Sequence, residues 1–233
     1  MTNQPNYDPK EEWNKRYIDQ KKFKFPSEYY IMRIFRGTYP KLQFGKLNLE
    51  GKKIIDISCG DGRNIQLLNE SGFDIYGTEI TQKIVERTKT NLHDWGIKAD
   101  IRVGTNDNIP FEDAFFDFAM SWNAIYYMNQ ERDFEKYVKE IARVIKPDGY
   151  LVLSVPMSSC YIFKDSESIN NRYRTIKDDY FKLRNGEVFR VFNNQSDIKK
   201  DFGDYFTDFI ISELYYDCFG LAYNHYMVIC RKK

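Results

Sequence analysis

Apolar positions alternate between two periods along most of this chain. From Lys53 to Ser58 (KIIDIS) they run almost unbroken, as in a strand buried on both faces. Phe73–Thr78, Asp100–Gly104, Phe115–Ser121 and Tyr150–Val155 read the same way. Between them the spacing changes to that of a helix. Arg63–Asn69 is one such segment. A second follows Thr81 as its cap, through Ile84, Val85, Thr88 and Leu92. A third, with Asn129 as its expected cap, carries Phe134, Val138, Ile141 and Ile145, and Pro147-Asp148-Gly149 then turns the chain into the fifth strand. Strands alternating with helices predict a parallel α/β sheet with right-handed crossovers and helices on both faces.

The flanks differ. Asp8-Pro9 predicts a helix to about Gln20, and Pro26-Ser27-Glu28 a second with Ile31, Ile34 and Phe35 on one face, ended by Gly37 and Pro40. Asn185-Gly186 between Tyr180–Arg184 and Glu187–Phe192 predicts a hairpin. Ser196 would cap a short helix to about Phe202. Phe209–Tyr215 and Tyr226–Cys230 form two last strands, joined too closely for a parallel crossover. The expectation is a Rossmann-like, seven-stranded, mostly parallel sheet with an antiparallel last strand, in one domain over residues 1–233. Within it, 1–45 would be a helical cap, 50–156 the ligand-binding core, 157–205 an inserted hairpin acting as a lid, and 206–233 the final strand pair.

Composition narrows the function. Thirty-five basic against 34 acidic residues leave a net charge of +1, so there is no overall basic footprint for nucleic acid. The first residues lack the apolar core of a signal peptide, and no window is long and apolar enough to span a membrane. Cys59, Cys160, Cys218 and Cys230 form no CxxC pair, so neither a zinc site nor a disulfide framework is expected, and a reduced cytoplasmic setting is. Aromatic residues reach 17%, most of them read as packing.

One acid breaks the pattern. Asp56 interrupts the first strand, where an unpaired buried carboxylate costs several kcal/mol. Just beyond it, Cys59-Gly60-Asp61-Gly62 turns into a helix, and the glycines let a ligand approach the backbone. Glu79 ends the second strand 23 residues after Asp56, where an acid can accept from both hydroxyls of a ribose. Asp61 in the turn would repel a pyrophosphate, so the pair suits a nucleoside with a cationic or zwitterionic head.

IIDISCGDG, YGTEIT, VGTNDNIPFEDAFFDFAMSWN and IKPDGYLVLSVP, in this order over residues 50–156, resemble the successive motifs of class I S-adenosylmethionine-dependent methyltransferases. EEWNKRY and FPSEYY resemble the N-terminal cap of small-molecule members. The resemblance implies S-adenosylmethionine as cofactor and S-adenosylhomocysteine as product. It places Asp56, Ser58, Cys59, Gly60 and Gly62 around the methionine part, Glu79 on the ribose and Ile80 on the adenine. Asn106 and Asp107 would flank the adenine edge, with Asp107 replacing the acid that Thr105 displaces. Ser121, Trp122 and Asn123 would lie under the sulfonium and face the substrate. Ser58 stands where the family usually has a glycine, which a serine can replace if φ stays negative. SWNA after the fourth strand is unlike the (N/D)PP(Y/F) of DNA amino-methyltransferases.

Methyl transfer is a direct displacement that needs alignment and exclusion of water, with no metal. Tyr17, Tyr29, Arg33, Asn123 and Tyr126 are the candidates for a small-molecule acceptor, with Tyr127, Ser158, Ser159 and Tyr161 as further loop and cavity residues. His93 reads as surface and His225 as packing, so no general base is assigned. Two alternatives compete: a nicotinamide oxidoreductase, which wants GxGxxG where this chain has SCGDGRN, and a non-catalytic module that binds the same cofactor.

Overall fold

The apolar run around Asp56 becomes a central strand with Ile54, Ile55 and Ile57 fully buried. The structure, a computed structural model, describes residues 8–19, 29–129 and 131–233. Their order is α1 (Pro9–Asp19), α2 (Tyr29–Arg36), β1 (Lys53–Ile57), α3 (Ile65–Glu70), β2 (Asp74–Glu79), α4 (Gln82–Asp94), β3 (Asp100–Val103), β4 (Phe116–Trp122), β5 (Tyr127–Met128), α5 (Phe134–Val144), β6 (Ile145–Pro156), β7 (Glu167–Ser168), β8 (Tyr173–Thr175), β9 (Val188–Arg190), α6 (Gln195–Phe202), β10 (Phe206–Leu214), β11 (Asp217–Cys218), β12 (Leu221–Ala222) and β13 (His225–Lys232).

Seven strands form one sheet in the order β10-β13-β6-β4-β1-β2-β3. β3, β2, β1, β4 and β6 run parallel, and β13 is antiparallel to both its neighbours, as the pattern predicts. The winding reverses between β1 and β4, which puts a crevice at their C-terminal ends. Alternation along β1 sends Ile55 and Ile57 into the core under α5 and α6, and Ile54 into the core under α2, α3 and α4. Much of the aromatic content packs there. Phe35, Phe44, Phe73 and Phe118 form one set of ring contacts, with centroids 5.3–6.3 Å apart.

Several local expectations change. The cap of α5 is Asp133, whose carboxylate accepts from Lys136 N at 3.2 Å, and not Asn129. The cap of α6 is Asn194 in place of Ser196. β6 begins at Ile145, and Pro147–Gly149 forms a bulge inside the strand pairing with β4. The hairpin expected at Asn185-Gly186 does not form. The Asp179 carboxylate takes the N–H groups of Leu183 and Arg184 at 3.0 and 3.2 Å, and Asn185 Oδ1 accepts from Asp179 N at 2.8 Å, which curls 179–186 into a loop. β9 pairs instead with β8 and β5, giving a small sheet in the order β5-β9-β8-β7. The helix start at Pro26-Ser27-Glu28 and the helix end at Gln20 lie outside the described residues.

Candidate active site

A cavity of about 530 Å³ lies beyond the C-terminal ends of the parallel strands. One end is built by the turn after β1. Gly60 (φ +62°) and Gly62 (φ +82°) both adopt the left-handed region that glycine tolerates. A Cβ on Gly60 would stand 2.7 Å from Tyr17 Oη, and one on Gly62 3.1 Å from the Leu92 side chain. α4 holds the turn from behind: Thr88 Oγ1 donates to Gly60 O at 2.5 Å, and Asn91 Nδ2 to Asp61 O at 3.0 Å. Asp61 is paired with Arg63 through two hydrogen bonds of 2.8 Å.

Two buried acids face this turn. Glu79 accepts from Gly60 N at 2.6 Å and from Ile80 N at 2.9 Å. Burial raises its pKa to about 7, against the opposing pull of those two N–H groups. Asp56 is 1% exposed, and its Oδ2 has no hydrogen-bond partner among the described residues. Burial and the nearby Glu79 push it well above the usual carboxylate range. Nothing in the described fold offsets the burial of Asp56.

α1 lies over the turn. Thr81 Oγ1, which caps α4, also donates to Asn14 Oδ1 at 2.5 Å. Trp13 stacks on Tyr17 with centroids 5.7 Å apart and meets the edge of Tyr127 at 5.6 Å. The far end of the cavity is formed by β5, the segment that follows β6 and the approach to β13. Arg184 donates to Tyr127 Oη at 3.1 Å and Tyr161 Oη at 3.2 Å, with Asp179 fully buried behind it. His225 stacks on Tyr223, and burial lowers its pKa to about 4.

The cavity brings together Tyr17, Ser58, Cys59, Gly60, Glu79, Ile80, Asn106, Asp107, Trp122, Asn123 and Tyr126 from the sequence candidates. Asp56, Gly62 and Ser121 stand behind its wall. Tyr29 and Arg33 are corrected: they lie in a separate shallow depression with Met32 and Tyr39, and Arg33 packs over the Tyr29 ring at 4.4 Å. Ser58 is also corrected, since its φ is +58°. Cys59 N continues the ladder to Thr78 O at 3.0 Å while the chain is already turning, so the bend falls on Ser58. Asp107 has both oxygens engaged, by Thr105 Oγ1 at 2.6 Å and Asn129 Nδ2 at 2.8 Å. Sequence reasoning missed Trp13, Arg184, Glu187 and Tyr223 as cavity residues. The one available signal was Arg184 beside Asn185-Gly186, and it pointed to a hairpin.

The profile of a family described as a methyltransferase domain matches residues 55–153. A tRNA (carboxymethyluridine(34)-5-O)-methyltransferase of Arabidopsis thaliana is 30% identical over 45% of this chain and 24% of its own length. A malonyl-[acyl-carrier protein] O-methyltransferase of Buchnera aphidicola is 29% identical over 54% of this chain and 47% of its own. The chain thus spans less than half the length of either relative. A crystal structure of a SAM-dependent methyltransferase from Methanosarcina mazei superposes with a TM-score of 0.63 at 21% identity, covering 84% of this chain and 98% of that one. The PH0226 protein of Pyrococcus horikoshii gives 0.60 at 20% identity, covering 81% and 85%. At these identities the two structures show the shared fold. Residues 55–153 thus match a methyltransferase domain, and the glycine turn and the acids at the ends of β1 and β2 lie within that matched stretch.

Proposed function

We propose that this protein transfers a methyl group from S-adenosylmethionine to a small-molecule acceptor enclosed in the cavity. The observation that carries this reading is the continuity of one cavity from Gly60 and Glu79 to a far end walled by tyrosines and the insertion. α1 covers it through the Trp13–Tyr127 contact. A covered, aromatic-walled space of this size suits a small organic acceptor better than a polymer.

The residues present fit the cofactor. Asn106 Oδ1 and Trp122 Nε1, on the cavity wall, are buried and lack hydrogen-bond partners among the described residues, as expected of groups awaiting a polar ligand; Asp56 Oδ2, behind the wall, is also unpartnered. Each Glu79 oxygen accepts one backbone N–H and keeps capacity for a ribose hydroxyl. The Ser58–Gly62 turn would hold the methionine part, with Asp56 behind it and Ile80, Asn106 and Asp107 at the base. When bound, S-adenosylmethionine supplies an electrophilic methyl group on a sulfonium. The chain's own contribution is alignment and exclusion of water, which can supply on the order of 7–11 kcal/mol. α1 and the insertion would act as the covers that exclude it. His225 is held neutral by burial; with a pKa of about 4 it is a weak base, and we assign it to packing.

Thermal-shift titration tests the cofactor. S-adenosylhomocysteine at about a hundred times its Kd should stabilise the protein by about 2.7 kcal/mol, or roughly 5–10 °C, and NAD by nothing. Labelled methyl transfer to a panel of small metabolites and to total tRNA tests the acceptor. Transfer to tRNA alone would overturn the small-molecule reading, and tight binding without any transfer would favour a non-catalytic module.

A further inference from the structure

At the far end of the cavity, Arg184 is the centre of a cluster rich in donors. Its Nη1 donates to both Asp179 oxygens at 3.1 Å and to Tyr161 Oη at 3.2 Å. Its Nε donates to Tyr127 Oη at 3.1 Å. Nη2, with two N–H groups, makes no hydrogen bond among the described residues, and Arg184 lines the cavity with 16% of its side chain exposed. Both tyrosines therefore use their oxygens as acceptors from Arg184, and Tyr161 accepts again from Tyr223 Oη at 3.4 Å. A phenol has one proton to give. With the oxygens occupied, the protons of Tyr127 and Tyr161 remain to be donated, as do those of Nη2. The partner they call for is a group that only accepts.

We propose that Arg184 Nη2 and the hydroxyls of Tyr127 and Tyr161 form a carboxylate-binding subsite, so that the methyl acceptor is a small molecule carrying a carboxylate besides its nucleophilic atom. This rests on the reading of the cavity as the acceptor site. Donors to an anion make its strongest hydrogen bonds. The burial that holds both tyrosines above their ordinary pKa keeps them protonated as donors. A phosphate dianion fits less well. Arg184 is already paired with Asp179, and Glu187 lines the same wall, so an added charge is met by hydrogen-bond donors alone, and a dianion brings two where a carboxylate brings one.

The test is calorimetric titration of the free protein and of its S-adenosylhomocysteine complex with benzoate and phenylacetate, each paired with its amide, and with phenyl phosphate. Each acid should bind about tenfold or more tighter than its amide. Tyr161→Phe and Tyr127→Phe should each reduce that preference about threefold or more, and Arg184→Met should abolish it, with S-adenosylhomocysteine affinity within about twofold of the parent. Equal binding of acid and amide, binding of neither acid, tighter binding of phenyl phosphate than of benzoate, or an unchanged preference in the two phenylalanine variants would overturn the proposal. If Arg184→Met leaves Asp179 unpaired and fails to fold, those two variants, which remove only a hydroxyl, decide the matter. Loss of S-adenosylhomocysteine binding in the parent would strike the methyltransferase reading; its retention without an acid preference would strike the subsite alone.

Discussion

Ser58 and Glu79 both hold conformations or charges that the fold alone disfavours. A non-glycine residue in the left-handed region costs about 1–2 kcal/mol, and glycine loses about 0.5–1 kcal/mol more entropy on folding. Ser58→Gly should therefore stabilise the protein by up to about 1 kcal/mol in urea denaturation; a clear destabilisation would mean that the serine side chain contributes more than its strain. Glu79 is an acid whose folded pKa is raised, from 4.5 to about 7. Between those values the folded state binds more protons than the unfolded one, so stability falls as pH rises through that window. Asp56 shifts in the same direction. The ligand-free protein should thus have a higher urea midpoint at pH 5 than at pH 7.5, about 1–3 kcal/mol in stability, and Glu79→Gln should flatten that slope. An equal slope in both proteins would show that the acid is not titrating as placed. The sequence pointed to Glu79 through its position at a strand end, and to Asp56 through the break in an apolar run. Neither clue carries a φ value, so the left-handed Ser58 was not legible.

The element that couples fold to site is α4. Its cap, Thr81, accepts from Ile84 N at 3.2 Å and donates to Asn14 of α1. Thr81→Ala should cost about 1 kcal/mol of stability and also weaken S-adenosylhomocysteine binding, because α1 loses its tie to the turn, whereas Thr81→Ser should keep both. Chemical denaturation and calorimetry on the same pair separate the two effects. Thr81 was legible as a cap because a threonine before an apolar helical pattern is a local signal. Asp133 and Asn194 displaced the expected caps by four and two residues, since several polar side chains in each loop could serve and packing chose among them. The misread hairpin has a similar origin. Asn-Gly fits a tight turn, but the Asp179 carboxylate offers the backbone of Leu183 and Arg184 a competing partner.

For the whole molecule, the segment 157–205 must hold its own shape if it is to wall the cavity. One tie within it is a buried ion pair between β9 and α6. Arg190 Nε donates to Asp201 Oδ2 at 2.8 Å, both side chains at most 4% exposed, and Arg172 Nη2 reaches the other oxygen at 3.0 Å. Asp201→Ala would leave Arg190 buried without its carboxylate and should cost about 3–5 kcal/mol in denaturant titration; a loss under about 1 kcal/mol would mean that the insertion carries no stability of its own. By itself the sequence determined the alternating strands and helices, the reversed last strand and the positions of Asp56, Glu79 and the glycine turn. All of these rest on period, local turn chemistry and neighbours close in the chain. Only the tertiary structure decided which aromatic residues face the cavity, since Tyr127 and Tyr29 look alike in sequence and packing sends one inside and the other out. It also decided the partners of Arg184. Its contacts with Tyr127 and Tyr161 join residues 57 and 23 positions apart, and no local pattern encodes a hydrogen bond across that distance.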